Sequence, residues 1–83
     1  MREYAVIFEK TATGWSVYCP DLPGLASCGS TLEEARAMIR EGLEFHLESM
    51  LEDHDPIPEA TTRVGTVQTD IVERWQERLA KSA

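Results

Sequence analysis

The sequence predicts an α+β domain: a small antiparallel sheet in the order β-β-β-α-β, covered on one face by one long helix, with a further helix at the C-terminus. Three observations carry the prediction. A run rich in β-branched and aromatic residues, Tyr4–Glu9, is followed after a glycine-containing loop by a second, Trp15–Cys19. Two prolines and a glycine then fall within Pro20-Asp21-Leu22-Pro23-Gly24, a sharp loop of low entropy. Beyond it the apolar period changes from two to 3.6 and stays there for about twenty residues.

The elements follow in order. In Tyr4–Glu9, Tyr4, Val6 and Phe8 share one face while Ala5, Ile7 and Glu9 share the other. Both faces are mostly apolar, which predicts a central strand, or one buried by a helix on one side and a partner on the other. Lys10–Gly14 turns the chain, and Trp15, Val17 and Cys19 then share a face of the second strand. Leu25–Cys28 has room only for a short third strand. Thr31 with Glu34, or Ser30 with Glu33, forms overlapping capping boxes at the start of a helix over about 32–53. Its apolar stripe is Leu32, Ala35, Ile39, Leu43, His46/Leu47 and Met50, wide enough to lie on a sheet. Gly42 interrupts the stripe at a cost of about 1 kcal/mol relative to Ala, which close packing of helix on sheet would offset. Asp55-Pro56-Ile57-Pro58 stops the helix, because residues before proline avoid the α region. Residues 60–68, with Thr61, Thr62, Val64 and Val67, read as a fourth strand weakened by Gly65. Asp70 and Glu73 then start a helix over 70–81, with Ile71/Val72, Trp75 and Leu79 as its stripe. The organisation is one domain, 1–68, with a C-terminal helical segment, 69–83.

A chain of 83 residues is in the size class where one core supplies only roughly 3–5 kcal/mol, so a partner or self-association is expected. Net charge is −7, unevenly spread. Residues 1–62 carry four basic and twelve acidic side chains, net −8; residues 63–83 carry four basic and three acidic, net +1. The acidic body repels a phosphate backbone and suits a basic protein. No apolar run approaches membrane-spanning length, and Met1-Arg2-Glu3-Tyr4 lacks a signal-peptide core, so a cytoplasmic protein is expected. Cys19 and Cys28 lack the C-x-x-C spacing of a zinc or redox site and are expected reduced.

The strand pair, then Pro20-Asp21-Leu22-Pro23-Gly24, a short connector, Gly29-Ser30-Thr31-Leu32-Glu33-Glu34-Ala35, the long helix and Pro56-Ile57-Pro58 resemble, in order and spacing, the HicB family of antitoxins from prokaryotic type II toxin–antitoxin systems. The likeness covers roughly residues 4–62. Leu25 stands where many relatives have Cys, and Ser30 where many have Asp; neither change touches the glycines. The resemblance implies a partial RNase H-like fold. It also implies a small basic partner toxin of HicA type, an mRNA-cleaving protein whose catalytic face the antitoxin covers, displacing RNA. Longer relatives append a helix-turn-helix or ribbon-helix-helix segment; the single helix 70–81 does not make that motif, so operator DNA is a doubtful partner despite Arg63, Arg74, Arg78 and Lys81.

Enzymatic chemistry is not expected, nor a cofactor or metal. Glu9, Asp21 and Glu48 are the carboxylates a two-metal nuclease would draw on, but no spacing forces them together. His46 and His54 are eight apart, not the i, i+4 pair that places two ligands on one helical face. Glu44, Glu48 and Glu52, by contrast, repeat every four residues along the helix and are followed by Asp53 and Asp55. Like charges at i, i+4 and acids at a helix C-terminus both oppose the helix. A soluble helix tolerates such charge; the functional reading is a docking surface for a cationic protein. The partner-binding set is Trp15, Asp21, Leu22, Glu44, Glu48 and Glu52. Trp15 and Tyr18 point to opposite sheet faces, so one of them lies on a face the long helix leaves open. Self-association to a dimer or tetramer through that face or a sheet edge is expected; otherwise the terminal helix folds back over it, anchored by Trp75. The alternative function is a stand-alone HicB-like oligomeric module that binds a ligand or regulates, with no toxin.

Overall fold

A computed structural model describes residues 1–82; Ala83, the end of the expected C-terminal segment, lies outside the described residues. Three strands, β1 (Ile7–Lys10), β2 (Trp15–Tyr18) and β3 (Ala26–Gly29), precede α1 (Leu32–Glu52) and α2 (Ile71–Lys81). The strands form an antiparallel sheet in the order β1-β2-β3. Phe8 stands opposite Val17 and Ile7 opposite Tyr18, while Val17 faces Ser27 and Tyr18 faces Ala26 across the second pair.

The α+β architecture expected from the sequence is present, with two corrections. The first strand is an edge, and β2 takes the centre. Of the two readings its apolar faces allow, a central strand or one covered by a helix on one side and a partner on the other, only the first is overturned, because residue pattern reports burial on the faces and says nothing of which strands lie alongside. Residues 60–68 form no strand among the described residues. The reason is visible at Thr62, whose amide donates to Asp21 Oδ2 at 3.1 Å, where a ladder would have offered it a strand carbonyl. The segment is held near the start of the chain all the same: Tyr4 Oη donates to the Pro58 carbonyl at 2.7 Å, and Tyr4, Ala5, Ala60, Thr62 and Val64 line one cavity.

The core lies between α1 and the sheet. Val17, Cys19, Leu22, Leu25, Ala35 and Ile39 are buried, and Tyr4, Val6, Phe8, Trp15, Leu43, Leu47 and Met50 pack around them. Thr31 caps α1, its hydroxyl accepting from the Glu34 amide at 3.1 Å. Gly29 brings β3 against the first turn of this helix, for a Cβ there would lie 2.5 Å from the Ala35 nitrogen. Leu22 turns inward because the loop folds on itself. The Leu22 amide donates to the Cys19 carbonyl, the Leu25 amide to the Leu22 carbonyl, and Gly24 adopts φ 89°.

The last helix forms where the sequence places it, but without the expected cap and without the fold-back that was the alternative to self-association. Asp70 makes no capping bond and instead pairs with Arg74 at 3.1 Å. Nor does α2 fold back on the sheet. Every one of its residues is exposed, Trp75 at 53 %, and the molecule extends 66 Å along its long axis but only 28 and 20 Å across. No helix among the described residues is long and apolar enough to cross a membrane.

Candidate partner-binding surface

The acidic row lies on the solvent side of α1. The stripe that carries Ala35 and Ile39 into the core turns positions 44, 48 and 52 outward, and all three glutamates are exposed. Arg40 Nε donates to Glu44 Oε1 at 3.2 Å, one turn earlier on the same helix. Glu48 and Glu52 have no such partner among the described residues, and the last turn of α1 contains no basic side chain. Asp53 caps the end and Asp55 follows it, so negative charge gathers where the helix dipole is also negative. Such a surface stabilises an incoming cation better than it stabilises its own helix.

The other expected contact residues divide. Trp15 is half-buried on the helix-facing side of β2, with Lys10 Nζ 5.7 Å from its ring centroid. Tyr18 is therefore the aromatic residue on the open face, 40 % exposed, flanked by Ile7 and Ala26 through the register. Leu22 is 1 % exposed, so it is a core residue and cannot touch a partner. This corrects the expectation that placed it in the partner-binding set: its loop swings the side chain under the helix.

Asp21 is occupied within its own chain. Oδ1 accepts from the hydroxyls of Thr62 at 2.8 Å and Thr61 at 3.2 Å, and Oδ2 accepts from the Thr62 amide. The Thr62 hydroxyl, then the Thr62 amide, hold the carboxyl below the usual aspartate range, because each bond favours the charged form. Asp21 thus ties the segment after α1 to the Pro-Gly loop. With its oxygens so engaged it is a poor metal ligand, and no group of three or more His, Cys, Asp or Glu suited to a metal occurs among the described residues.

One surface was missed in the sequence. Met38 and Phe45 are 45 % and 72 % exposed on α1, and with Gly42, Ala26, Ser27 and Glu41 they line a groove of about 330 Å³ beside the free edge of β3. Gly42 opens this groove and lets Leu25 approach, since a Cβ there would meet Leu25 Cδ1 at 3.2 Å. The signal was available: 38, 42 and 45 fall on one helical face, bordering the buried stripe at Gly42.

A family profile described as a HicB-like antitoxin of bacterial toxin–antitoxin systems matches residues 4–78, thus reaching beyond the Pro56–Pro58 segment and into α2. Among curated proteins, the chain is 42% identical over 57 residues to an uncharacterized 14.9 kDa protein of Haemophilus phage HP1, covering 69% of this chain and 43% of that protein. It is 41% identical over 56 residues to a UPF0150 protein of Synechocystis, covering 66% and 71% respectively. It is 40% identical over 60 residues to Antitoxin HicB 2 of Photorhabdus laumondii, covering 72% of this chain. The chain thus spans less than half the length of the phage and Photorhabdus relatives. No solved structure gives a significant match.

Proposed function

Because the chain belongs to the HicB-like antitoxins of bacterial toxin–antitoxin systems, we propose that it neutralises a small basic mRNA-cleaving toxin of HicA type, acting in the cytoplasm, by binding over the toxin's catalytic face and excluding RNA. The observation that carries this reading is the exposed row Glu44, Glu48 and Glu52 on α1, set in a body whose residues 1–62 are net −8. A toxin that grips RNA must present cations, and an acidic helix competes for them as a phosphate backbone would. The contact is completed by the half-buried Trp15 side and the loop held by Asp21. The chain itself performs no chemistry in this reading and needs no cofactor. It works as a homo-oligomer, since the body is small and its sheet has one uncovered face carrying Ile7 and Tyr18. The partial RNase H-like arrangement supplies the scaffold, with residues 60–64 beside the start of the chain.

The test is co-expression with the small basic reading frame adjoining its gene. Tagged chain should retain that product through purification and restore growth that the product alone arrests. Absence of any such neighbour, or a neighbour that neither binds nor arrests growth, would replace this reading with the stand-alone regulatory module.

A further inference from the structure

Besides the open sheet face with Ile7 and Tyr18, two apolar surfaces stand uncovered among the described residues. One is the groove of Met38, Gly42 and Phe45 along the β3 edge, with Glu41 on its rim. The other is α2, which shows Ile71, Val72, Trp75 and Leu79 at 43–63 % exposure and stands away from the body. An 11-residue helix with no packing is marginal in water, so α2 gains most of its stability from whatever covers this stripe. Charge points the same way. The body is net −8 and the segment carrying α2 net +1. Arg78, 5.0 Å over the Trp75 ring and in no ion pair among the described residues, offers a cation beside the apolar stripe, and the groove carries the carboxylate of Glu41.

We infer that α2 of one chain docks in the Met38–Gly42–Phe45 groove of a second copy, and that the exchange is reciprocal. Pairing α2 with α2 would cover only one short stripe against another and leave both grooves bare. A two-fold exchange uses both surfaces of each copy and forms two identical contacts, with Trp75 as the anchor of each. The single chain leaves α2 extended, which favours a second copy over closure on its own body. The inference deepens the self-association in the proposed function and requires nothing of the toxin.

The test uses full chains in sedimentation equilibrium across a concentration series. A groove variant, Phe45→Glu with Met38→Glu, and a helix variant, Trp75→Glu with Leu79→Glu, change exposed positions, and circular dichroism checks that the body stays folded. The wild type should be a dimer, and each variant should raise its dissociation constant by at least about thirtyfold, the effect of losing a buried aromatic anchor. Mixing the two variants should restore a dimer through the one contact whose groove and helix are both intact. A dimer unaffected by the groove variant, or failure of the mixture to associate, overturns the exchange while leaving self-association standing. A wild type that is monomeric at every concentration overturns both, and toxin binding by that monomer would leave the antitoxin reading intact.

Discussion

Gly29 offers the sharpest test of how sheet and helix are joined. Its backbone is not in the left-handed region, so only space forbids a side chain there. In Gly29→Ala the new Cβ lies 2.5 Å from the Ala35 nitrogen and 2.9 Å from its Cα, both backbone atoms of a residue that is fully buried. The first turn of α1 must retreat by about 0.9 Å to reach the 3.4 Å at which ordinary contact begins. Overpacking of this kind costs about 1–3 kcal/mol. The retreat also strains the Thr31 cap, whose bond to Glu34 contributes about 1 kcal/mol. Together these approach the roughly 3–5 kcal/mol that a core of this size supplies. Urea unfolding followed by circular dichroism should therefore show Gly29→Ala with most of its stability gone, its midpoint moved far towards zero urea. Two comparisons separate the causes. Gly24→Ala has open space but φ 89°, and should lose about 1–2 kcal/mol through backbone strain alone. Gly65→Ala has neither obstacle and should stay within about 0.5 kcal/mol of wild type. A Gly29→Ala chain with the wild-type midpoint would mean that β3 and α1 are not apposed as described.

Three further outcomes follow from the same geometry. Ile39→Ala, at a site 3 % exposed between α1 and the sheet, should cost about 2–5 kcal/mol in the same urea assay. Under the proposed function, replacing Glu44, Glu48 and Glu52 together by Lys should weaken binding to the basic partner at least about tenfold, since each reversal turns an exposed attraction of about 0.2–1 kcal/mol into a repulsion. The helix should survive, because Lys near its C-terminus suits the dipole although the Arg40–Glu44 pair is lost; calorimetric titration showing unchanged affinity would remove the acidic row from the interface. Asp21 has its carboxyl pKa lowered in the folded chain, so the tie it makes to Thr61 and Thr62 is fully present above the unfolded aspartate pKa. That tie is lost as pH falls from there through the folded value. Protease cleavage within residues 59–70 should accelerate over that acid range, whereas Asp21→Ala should be cleaved fast at neutral pH, with no further acceleration of its own in acid.

Much of this molecule was legible because its signals are local. The Thr31 cap, the Pro56–Pro58 stop and the 3.6-residue stripe each act within a turn or two, and α1 runs from Leu32 to Glu52 as they require. The site was legible only in part. A four-residue repeat was enough to set Glu44, Glu48 and Glu52 on one exposed edge. Leu22, expected in the partner-binding set, lies between two residues of the Pro-Gly loop, and only the hydrogen bonds that close the loop on Cys19 and Leu25 carry it into the core. Phe45 and Met38 were read past because they lie off the buried stripe.

By itself, then, the sequence determined the first three strands, the two helices and their order, the acidic body and the amphipathic last helix, all set by neighbours within a few residues; the fourth strand it suggested at 60–68 is not there. Tertiary structure alone decided that β2 is central, that Asp21 takes the Thr62 amide a fourth strand would have used, and that α2 stands apart from the body. Those outcomes depend on which distant groups meet and satisfy one another's hydrogen bonds and apolar surface, and pairing across forty residues leaves no periodic trace in the chain.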